Sequence, residues 1–285
     1  MLSSDPLPAS SPSSGAAEFP AAPGGLTLTR DLGRCAVGER FLALQDGQQT
    51  SHVAYALSPV SSRTDRARIE AMFDSLRSLS HPHLQSLQRL EFVPGPEGLT
   101  PWLVTPFAGD ADGLRSLSRL LRQRGGQMCP LEAEQAVGQI LSALAYAHDP
   151  LRDAGPGPRS PVHHGPLSMD EILVDRHGRC VVEMYGVGRR VRGMVNAHPE
   201  TARDEVLRVC EIAYQLITGL RAEEPLIPAT RLVPKLSKAW SQWLSEGLDP
   251  SGGFGSAREA LDRLPSSLER LVVSVPRRSR RVQSV

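Results

Sequence analysis

No lysine precedes Lys235, and Asn196 is the single asparagine of this 285-residue chain. Any site that takes its cation from lysine, or a metal ligand from asparagine, is therefore excluded from most of the sequence. An excess of one charge sign is lacking too. The formal net charge is +1, which excludes a general attraction to nucleic acid or acidic membranes. No run approaches the ~18 consecutive apolar residues of a membrane span. Cys35, Cys129, Cys180 and Cys210 stand singly, without metal or disulfide spacing, as expected of reduced thiols in a cytoplasmic protein. The opening MLSSDPLPASSPSSGAAEFPAAPGG has neither the basic nor the apolar region of a signal peptide. Rich in Ser, Pro, Ala and Gly, residues 1–25 are expected to form a disordered leader.

What is present divides into two regions. Short β-branched and apolar runs in LTLTRDLGRCAVGERFLALQDG, broken by Asp46-Gly47, predict two strands, and HVAYAL predicts a third. Ile69, Met72, Phe73, Leu76 and Leu79 recur at helical spacing. LQRLEFV and LTPWLVTPF predict two further strands around a PGPEG turn. Beyond them, Val137, Ile140, Leu141 and Leu144 form one helical stripe. RDEVLRVCEIAYQLITG predicts another helix, closed by Gly219. Trp240, Trp243 and Leu244 mark a third helix and SAREALDRL a last one, while EILVDRHGRCVVEMYG predicts two short strands around Arg176-His177-Gly178.

Several motifs then fall in a familiar order. HHGPLSMDEILVD followed by GRCVVEMYG resembles the catalytic and metal loops of eukaryotic-type protein kinases, H-R-D-L-x-x-x-N-I-L and D-F-G. LGRCAVGERFLAL resembles the glycine-rich loop, with Gly33 and Gly38 kept and Arg40 at the apolar roof position. HVAYAL resembles the V-A-I-K strand, and WLVTPF the hinge, with Thr105 as gatekeeper. HPE at residues 198–200 resembles A-P-E. The resemblance implies an α+β bilobal fold: a five-stranded antiparallel small lobe with one helix at 26–108, hinge included, and a larger, mainly helical lobe at 109–272. A basic tail, 273–285, follows.

The same alignment puts the wrong residues at the reacting positions. Pro166 stands for the catalytic aspartate, Glu171 for the asparagine, Met184 for the magnesium-binding aspartate, Ala56 for the lysine and Met72 for the helix glutamate. Kinases work by positioning phosphates and stabilising their charge, so these losses remove base, metal ligands and phosphate cation together. General-base loss alone costs typically ~10²–10⁴-fold. Methionine offers no oxygen to Mg²⁺. Glu183, beside Met184, is expected to point the other way by strand alternation. By position, a spine of Leu76, Leu87, Tyr185 and His164 is implied, anchored near Asp204.

The expected function is that of a pseudokinase: a signalling scaffold or allosteric regulator that binds another protein, with no metal and no cofactor. Gly33, Gly38, Arg40, Ala54, Thr105 and Leu173 would line a vestigial nucleotide pocket. Arg40 is expected to close that pocket over Ala54 and Leu173, its head directed at Glu70 or Glu171. Two alternatives stay open: a divergent phosphotransferase with relocated catalytic groups, and a sensor that binds ATP without magnesium. The tail's Arg277, Arg278, Arg280 and Arg281 would touch acidic surfaces only weakly.

Overall fold

The computed structural model describes residues 19–47, 50–109, 113–149, 161–188, 202–249 and 251–266. Five strands, β1 (Leu26–Arg34), β2 (Glu39–Gln45), β3 (Ser51–Ala56), β4 (Arg89–Gly95) and β5 (Gly98–Pro106), form one antiparallel sheet in the order β1-β2-β3-β5-β4. One helix, α1 (Arg63–Leu76), is inserted between β3 and β4. Its start is set by Ser62, whose hydroxyl accepts the Asp65 N–H at 3.0 Å. Ile69, Met72 and Leu76 then turn inward, as their spacing requires.

Alternation along the strands gives the sheet two apolar faces. Leu28, Phe41, Ala43, Ala54, Trp102 and Val104 pack on the outer face, and Phe19 lies edge-on to Phe41 at 6.1 Å between ring centroids. The packed part of the small lobe thus begins at Phe19, inside the segment expected as leader. Val53, Tyr55 and Leu103 point the other way, into the main core shared with the large lobe.

That larger lobe is mainly helical: α2 (Leu117–Gln123), α3 (Pro130–His148), α4 (Ala202–Thr218), α5 (Ala229–Leu232), α6 (Lys238–Gly247) and α7 (Ala257–Asp262). Its centre is α3, where Val137, Ile140, Leu141 and Leu144 are fully buried. A two-stranded hairpin, β6 (Ile172–Val174) with β7 (Cys180–Val182), brings the segment ending at Gly186 under the small lobe. Backbone bonds tie the two: Val182 N–H to His83 O at 2.9 Å and Gln85 N–H to Val182 O at 3.0 Å. The bilobal architecture is the expected one. The 198–200 motif and the basic tail lie outside the described residues, and so does the rest of the leader. Among the described residues no helix is long and apolar enough to cross a membrane.

Candidate functional site

The cleft between the lobes is the place where kinase motifs would act, and a buried polar network spans it. Arg40 on β2 projects toward the large lobe. Its Nη1 donates to both oxygens of Glu183, at 3.0 and 3.2 Å. Nε and Nη2 donate to the backbone carbonyls of Gly33, Leu32 and Arg34 at 3.3, 3.4 and 3.3 Å. One guanidinium therefore fastens the end of β1 to a carboxylate of the other lobe. Glu183 is only 2% exposed, and a buried charge of this kind is tolerable only with such a partner.

Further groups complete the network. Tyr55 donates its hydroxyl to Glu183 Oε1 at 2.9 Å. Gln85 donates Nε2–H to Tyr55 Oη at 2.8 Å and to Thr105 Oγ1 at 3.0 Å, and its Oε1 accepts the Met184 N–H at 3.1 Å. Burial, then the adjacent Glu183 charge, raises the Tyr55 phenol well above its ordinary range, so it stays protonated and donates. Burial and the same carboxylate also raise the Cys35 thiol, which excludes a reactive thiolate there.

The glycine-rich hairpin closes what is left. The Cys35 N–H bonds to Gly38 O at 2.8 Å, and Val37 is buried in the core. Gly38 is required by contact: a Cβ there would lie 2.0 Å from the Ala56 carbonyl oxygen. Between Cys35, Ala36 and Val37 above and His164, Glu171 and Met184 below, a gap of only about 10 Å³ remains. That is room for about one water, not for a row of phosphates. In the same cleft a wider cavity of about 600 Å³ opens beside the ion pair, with Arg40, Glu183, Leu32, Arg34, Glu171 and Leu173 in its wall.

Several sequence expectations change here. Ala56 does not face the cleft: it lines the outer side of the sheet with Trp102 and Thr100, and Ala54 packs with the outer cluster. The cleft-facing residue is Tyr55, paired across the sheet with Arg40 and Leu103. A shift of one residue in a strand exchanges its faces. Glu183, expected to point away, points into the cleft. Met184 has a positive φ of 47°, which breaks the alternation on which that expectation rested. The partner expected for Arg40 also changes. Glu70 sits on the exposed side of α1 with Arg66, and Glu171 accepts the Ser168 N–H at 3.0 Å.

Thr105 is buried at the back of the cleft, Leu173 lies under the cavity with Arg40, and Gly33 takes a positive φ of 80°. Met72 and Met184 are buried side chains without charge. Pro166 lines a separate cavity below, beside Leu121 and Ile212. His164 and Tyr185 meet edge to face at 5.4 Å, and Leu76 and Leu87 belong to the same core. Glu205, the neighbour of Asp204, lies beneath this stack. Glu205 accepts from the Gly165 N–H at 3.0 Å, the Tyr185 hydroxyl at 3.1 Å and His148 Nε2 at 2.7 Å. Burial alone would push its carboxyl up; the bond and charge of His148 and the Gly165 N–H more than offset this and hold it below the usual range.

The two lobes, the hinge and the His164–Tyr185 stack agree with one architecture. The fold is that of a protein kinase. Solved structures of the Mycobacterium tuberculosis PknI kinase domain are similar to it at 19% identity and a TM-score of 0.62, over 86% of this chain and 96% of that one. A double mutant of the same domain gives 19% identity and 0.62, over 85% and 95%. No known protein-family pattern and no curated protein sequence matches the chain. The likeness concerns the kinase fold, and the chemistry of this chain has to be read from its own side chains. Sequence reasoning missed Tyr55, Gln85 and Glu205 as members of polar networks. For Tyr55 the signal was alternation against Arg40; for Gln85 there was none.

Proposed function

We propose that this kinase-like domain transfers no phosphate and acts as a protein-binding scaffold or allosteric regulator. The observation that carries the reading is the Arg40–Glu183–Tyr55–Gln85 network, which stands where a nucleotide would have to enter. Support comes also from the reacting positions. Pro166 brings no carboxylate to orient a hydroxyl, and Met184 brings no oxygen to a magnesium ion. Tyr55 stands on the cleft side of β3 as a neutral phenol, so the phosphate-binding cation is lacking there too.

Catalysis of phosphoryl transfer is almost wholly positioning and electrostatic stabilisation, and a cleft whose Arg40 is already paired with Glu183 offers ATP little of either. What such a fold retains is surface and shape, which is the basis for assigning it to binding. Incubation of the purified chain with radiolabelled ATP and Mg²⁺ or Mn²⁺, alone and with generic protein substrates, tests the reading. No incorporation above background is expected. Incorporation that disappears on replacing Glu171 or Glu183 with alanine would overturn it in favour of a divergent transferase.

A further inference from the structure

Behind the cleft network, three groups of metal-binding type converge, of which Glu205 alone also supports the His164–Tyr185 stack. His148 is the last residue of α3, His163 precedes the His164–Gly165 turn, and Glu205 stands in the first turn of α4. One ligand atom from each lies within 4.8 Å of the others. His148 Nε2 is 2.7 Å from Glu205 Oε2, and His163 Nδ1 is 3.8 Å from Glu205 Oε1. The two imidazole rings are 5.0 Å apart between centroids.

We propose that His148, His163 and Glu205 bind a divalent transition ion of the zinc type. Zinc takes imidazole nitrogen and carboxylate oxygen at about 2.0–2.2 Å, so neighbouring ligands of a tetrahedral site stand about 3.4 Å apart. The two measured separations lie on either side of that value. The nitrogens face different oxygens of Glu205, so moving His148 outward by about 0.7 Å and His163 inward by about 0.4 Å seats the ion against the carboxylate. The His148 ring has the freedom for this, because its Nδ1 is buried with no hydrogen-bond partner and only the Nε2 side is held. Glu205 is already oriented as an outer shell would require: the Gly165 N–H and the Tyr185 hydroxyl fix its two oxygens. Two imidazoles select zinc, cobalt or nickel over magnesium and calcium, which demand oxygen. His163 keeps a quarter of its side chain exposed, which gives the ion a way in and leaves a fourth position for water. On binding, the ring proton of His148 moves from Nε2 to Nδ1 and the ion takes its place beside Glu205. The ion then ties α3, α4 and the turn below the cleft into one unit.

The test is calorimetric titration of the chelator-stripped full chain with Zn²⁺, followed by the absorption spectrum with Co²⁺. Two variants accompany it. His163→Gln removes one of the three ligands, and His177→Gln removes an exposed histidine elsewhere. One equivalent of Zn²⁺ is expected, with a raised Tm and a tetrahedral Co²⁺ spectrum. His163→Gln should weaken binding by about tenfold or more, as loss of a ligand costs at least what loss of its support does. His177→Gln should leave binding unchanged. Absence of saturable binding, or equal affinity in the folded His163→Gln chain, would overturn the proposal.

Discussion

Two buried glutamates, Glu183 in the cleft and Glu205 beneath it, show two different uses of an acid in one fold. Glu205 collects donors from within the large lobe: His148, the Gly165 N–H and the Tyr185 hydroxyl. Its bonds hold together helices that packing already brings close. Glu183 takes its side-chain donors, Arg40 and Tyr55, from the small lobe. Its bonds exist only while the lobes stay together. One acid braces a single lobe, and the other joins the two lobes across the cleft.

The largest expected effect comes from separating the cleft pair. Arg40→Met leaves the Glu183 carboxylate buried without its cation and should destabilise the chain by about 3–5 kcal/mol. Adding Glu183→Leu should restore most of that loss, because apolar groups of similar size replace buried ion pairs well. Urea unfolding of the two variants measures both. Equal stability of Arg40→Met and the parent would mean that this pair does not join the lobes.

The Glu205 side of the comparison is sharpened by pH. Its folded-state carboxyl titrates below the unfolded value of about 4.3, so its contribution is full above that pH and is lost as pH falls through the folded value. Glu205→Gln should cost about 1–3 kcal/mol near neutrality and flatten the acid limb of stability against pH. An unchanged acid limb would assign acid sensitivity elsewhere. Smaller still is Tyr55→Phe, which removes one donor to Glu183 and one acceptor for Gln85, about 1–2 kcal/mol by thermal unfolding. Glu70→Ala on the exposed face of α1 should change stability by less than about 0.5 kcal/mol, since its Arg66 pair is solvated.

Much of this fold was legible because each element carried its own signal. The α1 stripe, the α3 stripe and the ordered motifs from Gly33 to Gly186 placed both lobes and the hinge. The cleft was legible only in part. That Arg40 would need an acidic partner followed from a long cation at an apolar position. Which acid did not follow, because Met184 leaves the extended region and carries Glu183 inward with it. The sequence HVAYAL has small apolar residues on both sides of Tyr55, so neither register was marked by polarity. Asp204 and Glu205 are adjacent acids on one helix, and only the approach of His148 and Gly165 decides between them.

The central claim is that the Arg40–Glu183 pair keeps nucleotide out. Calorimetric titration with ATP, with and without Mg²⁺, tests it most directly when the unmodified chain is compared with the Arg40→Val and Arg40→Val/Glu183→Ala variants. The account predicts no saturable binding by the unmodified chain and measurable binding once both side chains are cut back. Tight ATP binding by the unmodified chain, weakened in Arg40→Val, would contradict it and make Arg40 a phosphate ligand.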